Sequence, residues 1–154
     1  MNVYLRKTMG GFVPASEDDA EAMKRFKLGA VVKADITNPR NYLFFCKWFA
    51  LVKVAFSLWE ETGIKAEYKG QEIRPQFDKF RKDVTILAGY CHPVLNVNGE
   101  LRMEADSISF ANMKEETFEK LYSATLATIV NKIMRGRISE ERLREMAERV
   151  EEFA

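Results

Sequence analysis

The stretch Asn41 to Thr62, NYLFFCKWFALVKVAFSLWEET, constrains this chain more than any other. It is dominated by large or branched apolar residues and holds both tryptophans, Trp48 and Trp59. At 3.6 residues per turn it reads as one helix of about six turns. Its polar positions Cys46, Lys53, Ser57 and Glu60 fall on one narrow strip, and the rest is apolar nearly all round. A helix of that kind is buried in the middle of a domain. Lys47 and Lys53 interrupt the apolar run, which argues against a membrane span.

A core helix needs cover, and the flanking sequence supplies it. Val3 and Leu5 alternate with Tyr4 and Arg6, so Asn2 to Thr8 reads as a half-buried strand that Gly10-Gly11 breaks. Ser16 followed by Glu17, Asp18 and Asp19 starts a helix, with Ala20, Met23 and Phe26 as its stripe and Gly29 as its close. Ala30 to Ile36 reads as a second strand, and Asn38-Pro39 as a turn. The polar stretch Ile64 to Pro75 fits either a short hairpin (AEY-KG-QEI) or a loop. Gln76 to Tyr90 fits a short helix passing into a strand at Val84–Leu87. Val94 to Met103 around Asn98-Gly99 predicts a hairpin, because such a turn needs φ > 0.

Asn112 with Glu115 forms a capping-box pattern. The helix behind it carries Phe118, Leu121, Tyr122, Thr125, Leu126, Ile129, Val130 and Ile133, and ends at Gly136. Ser139 caps a last helix with Leu143, Met146, Val150 and Phe153 as its stripe. No repeat or linker divides the chain. The expectation is one α+β domain over residues 1–154: a small antiparallel sheet, a long central buried helix and two C-terminal helices.

Composition excludes more than it identifies. The chain has 154 residues and a formal net charge of +1, so no global field points to nucleic acid. The charge is uneven: Lys and Arg exceed Asp and Glu over residues 1–53, and the acids prevail over residues 104–154. Cys46 and Cys91 form no disulfide framework, and the N-terminus lacks the apolar run of a signal peptide. A cytoplasmic location is expected.

No constellation points to catalysis. One histidine, His92, and two distant cysteines do not make the four-ligand set of a zinc site, so no metal is expected. Cys91 and His92 are consecutive, and in an extended segment their side chains point to opposite faces, unlike a Cys-His dyad. Cys46 reads as a small filler of the core. Asp18 and Asp19 are explained by the helix start, and Glu60 and Glu61 by a solvated helix end. Gly10-Gly11 lacks the spacing and lysine of a phosphate loop. The chain is read as a non-enzyme without a cofactor.

Arg6, Lys7, Lys33, Arg40, Lys47 and Lys53 cluster in the first third, and Arg74, Lys79, Arg81 and Lys82 form a second basic group. Tyr4, Phe12, Tyr42, Phe77 and Phe80 lie near them. Single-strand binders combine basic grooves with stacking rings. Solvated faces beside core rings give the same pattern, and composition leaves both readings open.

The run Phe77 to Ile133, with SISFANMKEETFEKLYSAT (Ser107 to Thr125) as its most specific part, is similar to an uncharacterised phage and prophage family, a domain of unknown function. Lys7-Thr8, Gly10-Gly11-x-x-Pro14, Lys27-x-Gly29 and Asn38-Pro39-Arg40-Asn41 leading into Phe49-Ala50-Leu51 extend the resemblance over most of the chain. Ile64 to Pro75 falls where that family usually carries a longer insert. The family in turn resembles, more distantly, the NinB (Orf) recombination mediators of lambdoid phages. Those share a helix entered through an Asn- and Arg-rich segment with an aromatic, and a late helix start that is matched here, one residue out of step, by Met113, Phe118 and Leu121. Where the mediators carry polar Gln-Asn-Arg, this chain has Phe44-Phe45-Cys46, leaving Arg40, Asn41 and Lys47 as polar contacts.

The resemblance implies a phage-derived accessory protein of DNA recombination or replication that binds single-stranded DNA without catalysis. Arg6, Lys33, Arg40, Asn41, Lys47 and Lys53 are the expected contacts, with Tyr42 as a stacking ring. The rival expectation is a phage factor that binds a host nuclease or defence complex through its acidic last helix. A homo-oligomer pairing through Leu143, Met146 and Val150 is a third.

Overall fold

The computed structural model describes residues 3–36, 41–110 and 113–152. The chain separates into two compact units, residues 1–37 and 38–153. Its class is α+β, with five helices and six short strands among the described residues. The expected small sheet is three separate two-stranded antiparallel ladders, each joining sequence neighbours.

In the first unit, β1 (Leu5–Thr8) pairs with β2 (Gly11–Pro14), from Leu5 opposite Pro14 to Thr8 opposite Gly11. Gly10-Gly11 therefore does not end the strand's pairing; it turns the chain back on itself. A three-residue return after Gly11 is too short to show a period of two, so the second strand left no pattern. The helix α1 spans Glu17–Met23. Ser16 caps it as expected: the Asp19 amide donates to Ser16 Oγ at 3.2 Å, and Ser16 Oγ donates to Asp19 Oδ2 at 2.6 Å. Asp19 also accepts the Tyr4 amide at 2.9 Å, which ties the helix to the chain leading into β1. The helix stops six residues before Gly29, so Phe26 lies in the turns that follow it. Gly29 instead closes a turn with φ +80°, the Ala30 amide donating to the Lys27 carbonyl.

The strand expected over Ala30 to Ile36 is not formed. Val31, Val32 and Ile36 are exposed, and no strand among the described residues offers them a ladder. β-propensity stabilises a strand only through cross-strand packing. The Asn38-Pro39 turn lies outside the described residues.

The second unit is built on α2, Tyr42–Glu61, flanked by Asn41 and Thr62 and followed by Gly63 at φ +77°. Trp48, Leu51, Val52 and Ala55 are fully buried among three later helices, Phe77–Leu87 (α3), Glu115–Thr128 (α4) and Glu140–Glu152 (α5). By length and composition α2 would also suffice to cross a membrane; its wide apolar surface is instead divided between a sealed face and rings that are half covered. Phe44 stacks on Phe118 at 4.3 Å, Phe45 meets Phe49 at 4.3 Å, and Trp59 lies 5.1 Å from Phe80. Offset and edge-on ring pairs add to what burial alone contributes.

The polar stretch forms the hairpin: β3 (Ala66–Tyr68) pairs with β4 (Gln71–Ile73), turned by Lys69 and Gly70, both at positive φ. Next, α3 runs from Phe77 to Leu87 without changing into a strand. Phe80, Val84 and Thr85 are its buried face, and Thr85 Oγ1 donates to the Arg81 carbonyl at 2.9 Å. Local preference reads the β-branched run Val84-Thr85-Ile86 as strand, but helical spacing to Phe80 seats Val84 and Thr85 in the core. Tertiary burial overrides so weak a preference.

The strand appears four residues later, as β5 (Cys91–Leu95) paired with β6 (Leu101–Ala105). The turn is not the two-residue form with both residues at positive φ; only Gly99, at φ +77°, is left-handed. Asn96 and Glu100 still pair, and Asn96 Oδ1 accepts the Asn98 and Glu100 amides at 2.9 and 3.0 Å. This is the three-residue loop ending in a left-handed glycine.

The helix α4, Glu115–Thr128, starts behind Lys114, which gives no side-chain cap. The expected cap, Asn112, lies outside the described residues. The helix continues through a π-helical turn, Ile129–Ile133, in which the Met134 amide donates to the Ile129 carbonyl at 2.8 Å. Ser139 caps α5, Glu140–Glu152, accepting the Arg142 amide at 3.1 Å. Leu143 and Ala147 of α5 enter the core around α2. Leu143 is therefore not available for pairing with another chain, and of the stripe proposed for self-association Val150 alone is well exposed.

Candidate nucleic-acid interface

In the first unit, the β1–β2 ladder sets Lys7 opposite Phe12 and Arg6 opposite Val13. Alternation sends Lys7 and Phe12 to one face and Arg6 to the other. The Lys7 ammonium lies 4.9 Å from the Phe12 ring centroid, and that ring is 46% exposed. A cation over a half-open ring is the pairing that single-strand binders use for phosphate and base. Lys33 is exposed in the irregular segment after α1. Arg6 and Lys33 have no ion-pair partner among the described residues.

In the second unit, the expected residues divide by role. Asn41 takes the left-handed conformation, φ 64°, just before α2. Its amide donates to the Met113 carbonyl at 2.7 Å and to the Phe110 carbonyl at 3.5 Å, pinning the helix start to the segment before α4. Asn41 is thus spent on structure. Tyr42 is half-buried, 6.1 Å from Phe45 in a near-parallel stack, and hydrogen-bonded to Cys46. Arg40 lies outside the described residues.

Lys47 and Lys53 are exposed and have no ion-pair partner among the described residues. Helical geometry separates them by about 120° around the axis. Lys53 shares the strip of Tyr42 and Cys46, about 16 Å along from Tyr42. So α2 does not bring its two lysines onto one face.

Cys46 is half-buried rather than a full core filler. Burial pushes its thiol pKa up, the hydrogen bond from Tyr42 opposes this, Glu151 of α5 adds to the rise and Lys53 offsets part of it. Tyr122 likewise titrates above the ordinary tyrosine range because it is buried; Arg144, 5.5 Å from its ring, pulls the other way.

In the second basic group two acids pair with three of the four cations. Asp78 accepts from Arg81 at 2.6 Å and Lys82 at 2.8 Å, and Lys79 pairs with Asp83. These contacts lower the Asp78 pKa to about 2, with the Lys82 hydrogen bond the largest cause. Phe77 and Phe80 pack toward the core, not outward for stacking. Spacing in the sequence held this answer, since Asp78 stands three and four residues before Arg81 and Lys82.

Two features escaped the sequence. His92 Nδ1 lies 2.7 Å from Asp106 Oδ1 across the end of the β5–β6 ladder, a pairing visible only once the register is known. Among the described residues no group of three or more His, Cys, Asp or Glu side chains is placed to hold a metal. The other is an apolar groove in the second unit, walled by α2, the chain after β4, α3 and the π-helical turn.

No curated protein and no solved structure matches the chain. The family described as protein of unknown function DUF1367 matches residues 2–69 and 63–153, the two segments meeting inside the β3–β4 hairpin region where the sequence suggested a shortened insert. With nearly the whole length matched, the chain belongs to the DUF1367 family of proteins of unknown function.

Proposed function

We propose that this protein is a non-catalytic binder of single-stranded DNA, a phage-derived accessory of recombination or replication acting in the cytoplasm of the host cell. The observation that carries the reading is Phe12, a half-open ring on a hairpin with the Lys7 ammonium over its face. Lys7 itself, Arg6 and Lys33 of the same unit, and Lys47 and Lys53 of α2 supply phosphate contacts, with Arg40 as a further one; Arg6, Lys33, Lys47 and Lys53 have no ion-pair partner among the described residues. The resemblance to NinB-type mediators points the same way. Asn41 and Tyr42 contribute by holding the start of α2 rather than by touching DNA.

The test is fluorescence anisotropy with a labelled 20-nucleotide oligomer at low salt. Base stacking is worth about 1–3 kcal/mol per base, so Phe12→Ala weakens binding by roughly 5- to 150-fold. A wild-type chain that shows no binding at low salt rules the reading out.

One observation favours the rival. The exposed side of α5 carries Glu140, Glu141, Glu145 and Glu148, and among the described residues only Glu145 pairs with an arginine of the helix, Arg142. An acidic strip of that kind suits a basic protein surface. A stoichiometric host protein retained after nuclease treatment, with no DNA binding, selects this reading instead.

A further inference from the structure

Trp59, Ile73, Phe80, Val84, Leu87 and Ile133 line an open, mostly apolar groove of about 480 Å³ within the second unit. That volume lies in the range of small-ligand sites, which are mostly apolar with a few placed polar groups. Three further observations give it a character. The Trp59 and Phe80 rings lie 5.1 Å apart, tilted by 34°, and offer an aromatic wall. Ile133 stands on the π-helical turn, whose extra residue is held by the bond from Met134 to the Ile129 carbonyl. Turns of this type recur at functional sites. At the mouth, Lys79 is matched by Asp83, while Arg74 has no ion-pair partner among the described residues.

The mouth therefore carries one positive charge in excess over an apolar interior. We propose that the groove binds a small apolar monocarboxylic acid, its hydrocarbon body against Trp59, Phe80 and Leu87 and its carboxylate paired with Arg74. Arginine suits that role because its planar fork meets a carboxylate through two hydrogen bonds. An amine or a neutral ligand of the same shape leaves Arg74 without a counter-charge. None of the groove residues takes part in the proposed DNA contacts, so this inference stands or falls by itself.

The probe is octanoate, followed by tryptophan emission and calorimetry on the whole chain. Trp59 lines the groove and is half-exposed, whereas Trp48 is fully buried elsewhere, so a saturable change in emission reports the groove. Octanoate is expected to bind at least tenfold more tightly than 1-octanol. Arg74→Gln removes that preference without weakening octanol and leaves DNA binding untouched. Leu87 is 43% exposed, so Leu87→Glu folds and abolishes binding of both. Equal affinity for acid and alcohol, an unchanged preference in Arg74→Gln, or intact binding in Leu87→Glu overturns the proposal. A pentapeptide ending in leucine that binds tenfold tighter than octanoate reassigns the groove to a protein tail and overturns the free-acid assignment.

Discussion

Replacing Thr125 by valine tests how the centre of the second unit is held together. Trp48 is fully buried, and its Nε1–H donates to Thr125 Oγ1 at 3.0 Å. Thr125 Oγ1 in turn donates to the Leu121 carbonyl at 2.8 Å, within α4. Valine keeps the shape and the β-branch, so the helix and the packing persist. The Leu121 carbonyl retains its place in the helical ladder, but the indole N–H has no water to turn to. An unsatisfied buried donor costs about 1–3 kcal/mol. A buried methyl in place of the hydroxyl returns up to about 0.8 kcal/mol. The net expectation is about 1–2 kcal/mol, or a fall in Tm of roughly 4–10 °C for a unit of this size. Urea unfolding followed by tryptophan emission and far-UV circular dichroism gives the number. Trp48→Phe alone lowers stability through lost volume, and the double variant separates the two effects. The coupling energy is expected at about 1 kcal/mol, because phenylalanine brings no donor to strand. Additive effects, or a Thr125→Val chain within about 0.3 kcal/mol of wild type, would show that the Trp48–Thr125 hydrogen bond does not hold the centre of the unit.

Two further outcomes follow from the electrostatics. Asp78 is expected to titrate at about 2 by NMR, and Arg81→Gln or Lys82→Gln should move it toward the ordinary carboxylate value near 3.9. The sign is that of a depressed acid: its contribution to stability is complete above the unfolded pKa and is lost as pH falls through the folded one, so it is absent at pH 1. Cys46 should show an alkylation midpoint above that of the unfolded chain, and Tyr42→Phe should raise it again by removing a hydrogen bond that favours the thiolate. A midpoint that falls in Tyr42→Phe contradicts the assigned geometry.

The elements legible in the sequence were those whose evidence is periodic or chemical. The span of α2 was read to within one residue at each end, because twenty residues of helix leave many turns of pattern. The stripe from Phe118 to Val130, the Ser16 and Ser139 caps, and the hairpin around Asn98-Gly99 were legible for the same reason. Short apolar runs were not. Val84-Thr85-Ile86 and Ala30 to Ile36 both look like strands, and the choice between strand, helix and irregular chain depends on whether a partner is present. The ladder partner is a tertiary fact, invisible in a local window.

The site was legible only as a list of cations. Sequence placed Asn41 and Tyr42 among the contacts, but their hydrogen bonds to Met113 and Cys46 give them structural work. It named Lys7 and Phe12 only as members of a cluster, because their pairing needs the β1–β2 register. Conversely, the i,i+3 and i,i+4 acids that neutralise Arg81, Lys82 and Lys79 were in plain view.

The salt dependence of single-strand binding reports the phosphate contacts themselves. Six cations are assigned to phosphate contact: Arg6, Lys7, Lys33, Arg40, Lys47 and Lys53. With about 0.7 counterions released per phosphate neutralised on a single strand, log K should fall against log salt with a slope of about −4. Arg6→Gln with Lys7→Gln should bring the slope to about −3 and weaken binding alike for all sequences. A slope near zero, or one that the double substitution leaves unchanged, would contradict the account.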